Sequence, residues 1–343
     1  MNYELEHEKV YGYPFSDIQK NDIHQTISNY KVRFENNSID YPSLFEKKKC
    51  LDAGCGYGRG ALFMLSNGAE WVDLVDVSEK NISTSKKNLQ KFNFKNCNYF
   101  NCSIESLPYE DNTFDLVWSY GVIHHAANTD KCLQELTRVL KVGGILKLFI
   151  YGSGGIFWYS MEMFRKILKK VDTEYIINFL KSNSVPPIDI SNYVDSWKVH
   201  YLRKYTKNDV TFRLDALGYS DVKFFKYGMN YDLNHRKTVY PEDKDWMGEG
   251  DLRFIVKKLK DSRSNKYKLS NQTEGSTYAY NKSLTDEFDQ TFFDLIFKLK
   301  DKKDLSIKVC YEIHKTLYYL MRQENKFNYK TYRDLITKYL KDI

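Results

Sequence analysis

Residues 50–60 read Cys-Leu-Asp-Ala-Gly-Cys-Gly-Tyr-Gly-Arg-Gly, with Gly54, Gly56 and Gly58 two apart. A side chain at any of these positions would hold a ligand off the backbone, so the spacing suits close approach of a small molecule to main-chain atoms. Asp52 precedes the turn and Cys55 sits within it. Asp76 closes a second apolar run, Leu74-Val-Asp-Val-Ser78. A carboxylate placed there can accept hydrogen bonds from both hydroxyls of a ribose. A dinucleotide fingerprint can also be fitted, as Gly56-x-Gly58-x-x-Ala61, although it begins late after the first run. His124 and His125 follow a fourth apolar run. Imidazole takes a proton from a hydroxyl near neutral pH, which makes either ring a candidate base. The alternative is structural, with one ring capping a helix and the other packing under the loop.

The elements that must carry these groups alternate. Strands are predicted over 49–53, 70–77, 98–102, 114–119 and 144–151. Helices are predicted over 16–35 with Ser16 as N-cap, over 59–67, from the cap Ser78 to 92, and over 128–140, where Gly143 suits the stop. This rhythm implies a Rossmann-like, doubly wound, mostly parallel α/β sheet of seven strands. After Tyr151 the rhythm breaks into an aromatic helix over 157–171, Pro186-Pro187 and Asp195-Ser-Trp197. Thr206 and Asp209 pair as a capping box for a helix ending at Gly218, before strands over 221–227 and 252–257. The expected organisation is an N-terminal helical cap (1–44), an α/β domain (45–257) and a helical C-terminal extension (258–343). The α/β domain carries a helical insertion after the fifth strand (152–206) and a long loop (228–251). The apolar faces of the extension, Phe288, Phe292, Phe293, Leu295, Ile296 and then Val309, Ile313, Leu317, Leu320, must dock on the core, on a second copy or on a partner.

Composition narrows the function classes. The chain has 343 residues, 42% of them hydrophobic, enough for a sizeable core. Its net charge is +7, but only 11 of the 52 basic residues are Arg, the side chain that reads bases bidentately. Nucleic acid is therefore not the expected partner. The six cysteines show no metal spacing and read as reduced, mostly buried thiols of a cytoplasmic protein, with no metal site. The first nine residues do not read as a signal peptide. The most apolar stretch, 142–159, contains Lys147 and five glycines and is not a membrane span.

Asp52-x-Gly54-x-Gly56-x-Gly58 is joined by three further landmarks: 103–117 from Ser103-Ile-Glu to Phe114-Asp-Leu-Val, Tyr120-Gly-Val-Ile-His124-His125, and Leu140-Lys-Val-Gly143-Gly144. Together they resemble class I S-adenosylmethionine-dependent methyltransferases of the ubiquinone/menaquinone-type (type 11) branch, over 45–152, with 206–257 alike in architecture. The resemblance implies S-adenosylmethionine as cofactor and S-adenosylhomocysteine as product. It places Asp52, Gly54, Cys55, Gly56 and Gly58 at the methionine end, Asp76 and Val77 at the ribose, and Ser103, Ile104 and Glu105 at the adenine. Ser119 and Tyr120 stand nearby. Arg33 would reach the cofactor carboxylate or else stand on a solvated helix face, and Tyr11, with Tyr13 and Phe15, would form a lid or pack as an ordinary N-terminal arm. Ser103 replaces the Asp usual in the family, and Val142 replaces a Pro.

The implied reaction is methyl transfer to an acceptor held about 3 Å from the methyl carbon. An oxygen of a sugar, a lipid-linked intermediate or a secondary metabolite is expected to receive it, with His124 or His125 as base. The acceptor pocket is expected from Tyr151, Trp158, Asp195, Trp197, His200, Tyr205 and Glu249. The alternatives are an amine acceptor, an RNA or tRNA acceptor bound through the Lys-rich tail, and a cofactor-binding protein without turnover.

Overall fold

Short apolar runs bounded by glycines and polar turns favour strands buried on both faces. In the computed structural model, which describes residues 8–18, 20–225, 244–259, 282–323 and 329–342, β1 (Lys49–Ala53), β2 (Trp71–Asp76), β3 (Cys97–Asn101), β4 (Phe114–Tyr120) and β5 (Leu140–Tyr151) are parallel. With β6 (Tyr219–Phe224) and β7 (Asp251–Lys258) they form one seven-stranded sheet of order β3-β2-β1-β4-β5-β7-β6. β7 runs antiparallel to both neighbours. The expected α/β, doubly wound fold class is thus observed.

The longer helices among the described residues are α1 (Lys20–Asn36), α2 (Arg59–Ser66), α3 (Glu79–Lys91), α4 (Thr129–Val139), α5 (Gly155–Ile167), α6 (Thr173–Ser182), α7 (Pro187–Lys198) and α8 (Lys207–Ala216), then α9 (Lys282–Leu299), α10 (Lys303–Gln323) and α11 (Tyr329–Asp342). Side chains of α1, α2 and α3 share one core layer with Cys50, Leu74 and Trp118 of the sheet. Those of α4 and α8 share the other with Leu51, Val117 and Leu148. Strand alternation therefore turns Asp52, Trp118 and Tyr120 toward the α1–α2 side. Register sets Asp52 beside Leu74 on β2 and Trp118 on β4, so the three strands end at a common edge.

Local chemistry fixes the starts of these helices. Ser78 Oγ accepts from Asn81 N, Asn128 Oδ1 accepts from Lys131 N, and Thr206 with Asp209 forms the expected capping box. Two sequence expectations are corrected. Ser16 ends a short helical turn, Tyr13–Ser16, and α1 begins four residues later, so Ser16 is not its cap. Gly143 does not stop α4, which ends at Val139. It lies inside β5, where the pairing with β4 shifts between Phe114 and Leu116, and its φ of +83° serves that irregularity.

The insertion and the C-terminal helices share one apolar core. Phe157, Phe164, Ile176 and Val194 from α5–α7 are buried together with Phe292, Leu295, Ile313, Leu317 and Ile336 from α9–α11. Polar contacts cross the same boundary: Tyr159 donates to Asp289, Ser160 Oγ and Tyr332 Oη are hydrogen-bonded, and Trp197 Nε1 donates to His314 Nδ1 at 3.1 Å. Burial pushes His314 down to about 3, so its ring stays neutral and available as that acceptor. The route from β5 into α5 passes close to the backbone at 247–250, where a Cβ on Gly155 would lie 2.4 Å from Gly248 N. That close approach accounts for the glycines at 152–155.

Phe292→Ala is expected to lower unfolding free energy by about 3–5 kcal/mol, because a fully buried ring leaves a cavity. Phe297→Ala, on the exposed side of the same helix, should change it by less than about 0.5 kcal/mol. Urea unfolding midpoints of the two variants check the difference.

Candidate active site

The shared edge of β1, β2 and β4 opens into a cavity lined by Asp52, Gly54, Arg59, Asp76, Tyr120 and His125. Its floor is the glycine turn. Gly54 N and Cys55 N both donate to Val75 O, at 2.8 and 2.9 Å, which lashes the turn to β2. Gly54 has φ +82°, and a Cβ there would lie 2.3 Å from a Val122 methyl. Only glycine meets both conditions. Asp76 completes the turn from the other side. Its Oδ2 accepts from Gly56 N at 2.9 Å, while Oδ1 accepts from Ser78 N at 2.9 Å and Asn81 Nδ2 at 3.2 Å. A carboxylate has about four acceptor positions, so capacity remains on Oδ2, toward the cavity.

Asp52 is buried, and its Oδ2 accepts from Ala61 N at 2.8 Å. A Cβ on Gly60 would stand 2.8 Å from that same oxygen, so Gly60 keeps the carboxylate seated. Burial pushes the Asp52 carboxyl up to about 7, against the Ala61 N–H and the Arg59 charge, which favour the ionised form. Burial also raises Asp76, opposed by its three N–H donors.

Arg59 lines the cavity, with its guanidinium 5.5 Å from the Tyr57 ring centroid and 5.9 Å from that of Tyr120. Sequence reasoning passed over it, and over Gly60. A signal was present: Arg59 is the first residue of α2, where a cation opposes the helix dipole and so requires another reason to be there. Arg33, expected at the cofactor carboxylate, is buried behind the wall. Its Nη1 donates to Tyr120 Oη at 2.6 Å, and Arg253 Nε donates to the same oxygen at 2.8 Å. Tyr120 lines the cavity, so Arg33 acts on it only through that ring. Phe15 covers the turn, its ring 3.0 Å from where a Gly56 Cβ would stand, and Tyr11 lies next to it.

Tyr11 and His125, both on the cavity wall, lead to a second group centred on Asp195. Tyr11 Oη donates to Asp195 Oδ1 at 2.5 Å, and Tyr151 Oη donates to Asp195 Oδ2 at 2.7 Å. His125 Nε2 lies 3.2 Å from Asp195 Oδ1, and His125 Nδ1 lies 3.0 Å from Tyr201 O. His125 lines the cavity. Burial pushes its ring below the usual imidazole range, while Asp195 and the Tyr201 carbonyl oppose that shift. His124 is fully buried against His125, Phe149 and Tyr151, and does not line the cavity. Burial, His125 and Lys204 hold it well below the usual range, so it stays neutral.

Several expected site residues stand elsewhere. Ser119 is buried on the opposite face of β4 from Tyr120, as strand alternation requires. Ser103, Ile104 and Glu105 are not on the cavity wall. The Ser103 hydroxyl accepts from Glu105 N, and Glu105 accepts from Asn128 N. They do adjoin Asp76, since Cys102 N donates to Asp76 O. Val77 is beside them, its carbonyl accepting from Asn101 Nδ2. Trp158 is buried against Tyr151, at 4.9 Å between ring centroids, one layer behind the Asp195 group. Trp197 is a core residue bonded to His314. Tyr205 packs in the α4–α8 layer, where its backbone pairs with Tyr151 and Ser153. His200 is exposed, its ring against Tyr201. Glu249 holds the chain crossing through its N–H to Ser153 O. Residues 228–243 of the expected substrate loop lie outside the described residues.

Residues 51–148 match the family model described as a methyltransferase domain. The chain is 35% identical over 97 residues to the sarcosine/dimethylglycine N-methyltransferase of Aphanothece halophytica, across 28% of this chain and 35% of that protein. It is 29% identical over 194 residues to the malonyl-[acyl-carrier protein] O-methyltransferase of Buchnera aphidicola, across 55% of this chain and 69% of the relative. An uncharacterized protein of Methanocaldococcus jannaschii is 31% identical over 172 residues, across 45% of this chain and 71% of its own length.

Two outcomes follow from the turn. Gly54→Ala should weaken binding of S-adenosylhomocysteine at least tenfold, about 1.4 kcal/mol, by titration calorimetry, because the new Cβ displaces the turn. The second concerns pH. Asp52 titrates higher in the folded chain than in the unfolded one, so the folded state holds its proton more tightly. Its contribution to stability is present at low pH and lost as pH rises from about 4 to about 7. Urea midpoints measured at both ends of that window should fall more for the wild type than for Asp52→Asn.

Proposed function

The chain belongs to the class I S-adenosylmethionine-dependent methyltransferases, in their ubiquinone/menaquinone-type branch, and we propose that it methylates an oxygen of a small molecule held between the glycine turn and Asp195. The observation that carries this reading is the Asp195–His125 pair, whose imidazole lines the cavity. The cofactor of the family is S-adenosylmethionine, which supplies an electrophilic sulfonium methyl group. The residues present suit it. Asp76 retains acceptor capacity for a ribose diol, the glycine turn lines the cavity beside it, and Arg59 offers a positive charge to the carboxylate of an amino-acid end.

On the acceptor side, His125 Nε2 takes the hydroxyl proton, and Asp195 stabilises the imidazolium that results. Tyr201 O fixes the ring through Nδ1, which leaves Nε2 as the basic atom. Tyr11 shares Asp195 Oδ1 with His125, so an incoming hydroxyl can replace its phenol there. Tyr11 and Phe15 line the cavity over the glycine turn and narrow it, which favours a small acceptor over a nucleic acid. The likeness to an N-methyltransferase supports a second reading, in which a neutral amine needs no base.

His125→Gln should lower turnover at least about a hundredfold across a panel of candidate acceptors, read as S-adenosylhomocysteine release, with cofactor affinity retained. Burial depresses His125, so wild-type activity should fall on the acid side only below about pH 6.5. An amine acceptor predicts instead that His125→Gln keeps its turnover and that the acid limb follows the pKa of the amine.

A further inference from the structure

A second concavity, sharing no lining residue with the first, lies between the end of α5 and the α9–α10 turn. Its floor is aliphatic, formed by Ile167, Val171, Ile296 and Leu299. Phe293 and Phe297 stand at its lip, one helical turn apart, and are 62% and 80% exposed. The opposite stripe of α9, with Phe288, Phe292 and Leu295, is buried in the helical core. The helix therefore carries two apolar stripes, and only one has a partner among the described residues. Around the groove stand Lys166, Lys169, Lys170, Lys300, Lys302 and Lys303, against Asp294 and Asp301. All of its cations are lysines.

We propose that this groove docks the protein on an anionic lipid bilayer. Aromatic side chains at a lip surrounded by lysines match the interface between acyl chains and anionic headgroups. The rings enter the apolar boundary while the long lysine stems keep their charges at the phosphates. A second copy of the chain would bring the same positive field and be repelled. A nucleic acid could stack on the two rings, but its bases would leave the aliphatic floor empty, and Arg is the side chain that reads them. Among the described residues no helix is long and apolar enough to cross a membrane, so attachment through this groove is peripheral. The proposal does not depend on which acceptor the cavity holds.

Co-sedimentation of the full chain with vesicles tests it. Binding is expected to phosphatidylcholine vesicles containing about 30% phosphatidylglycerol, with little to pure phosphatidylcholine and release at about 0.5 M salt. Phe293→Ser/Phe297→Ser and Lys169→Glu/Lys170→Glu should each weaken that binding at least tenfold, with thermal unfolding unchanged to show that both variants fold. Equal binding to the two vesicle types, or wild-type binding by the Phe double variant, overturns the proposal. So does failure to bind vesicles together with retention of tRNA at low salt, or with a dimer in gel filtration that Phe297→Ser dissociates.

Discussion

The buried carboxylate of Asp195 receives groups from three distant parts of the chain: Tyr11 from the N-terminal arm, Tyr151 from the end of β5 and His125 from the turn after β4. A carboxylate taken out of water must be compensated by donors close at hand, or the element that carries it will not stay docked. The placement of α7 against the sheet edge, the course of the arm over the glycine turn and the tilt of the His125 ring therefore form one problem with one solution. The strap at 199–205 reinforces it, since Arg203 donates to the carbonyls of Ala126 and Ala127, and its N–H bonds to His124 O. The two histidines differ in consequence. His125 faces ionisable and carbonyl oxygens, whereas His124 is enclosed by rings.

A second electrostatic feature lies under the methionine-end wall. Arg33 and Arg253 converge on one phenol oxygen, and Lys147 lies 3.7 Å from the Phe225 ring centroid. Arg59 stands on the cavity side of the same aromatic group. Asp251 pairs with Arg253 at 2.6 Å. So much positive charge around one face makes the wall attractive to an anionic group, and the aromatic faces spread that charge without neutralising it. In the proposed reading, the cofactor carboxylate meets this field through Arg59, with Tyr120 as the intermediary to the deeper cations.

Local rules made much of this legible before any coordinates. The glycine spacing, the acidic end of β2 and the caps at Ser78 and Thr206 all depend on neighbours a few residues away, and they appear where such rules put them. The Asp195 group was legible only as names, because Tyr11, His125, Tyr151 and Asp195 meet through tertiary packing that no periodicity encodes. Trp197 shows the limit from the other side. Asp195, two residues before it, meets Tyr11, Tyr151 and His125, but α7 rotates Trp197 about 200° away, into the core with His314. Gly143 was misread because a left-handed glycine after a helix looks the same whether it ends the helix or bends the strand that follows.

The core shared by α5–α7 and α9–α11 has a consequence for how the protein is made. Trp197 and His314 are 117 residues apart in the chain yet bonded inside that core. At translation rates of 5–20 residues per second, the apolar faces of the insertion wait on the order of ten seconds for their partners to be synthesised. During that interval the strands through β5 can already pair, while the helices above them cannot complete their burial. The nascent chain therefore passes through a stage with a formed sheet and an uncovered helical layer, and is most open to chaperones, or to aggregation, shortly before its last helices emerge from the ribosome.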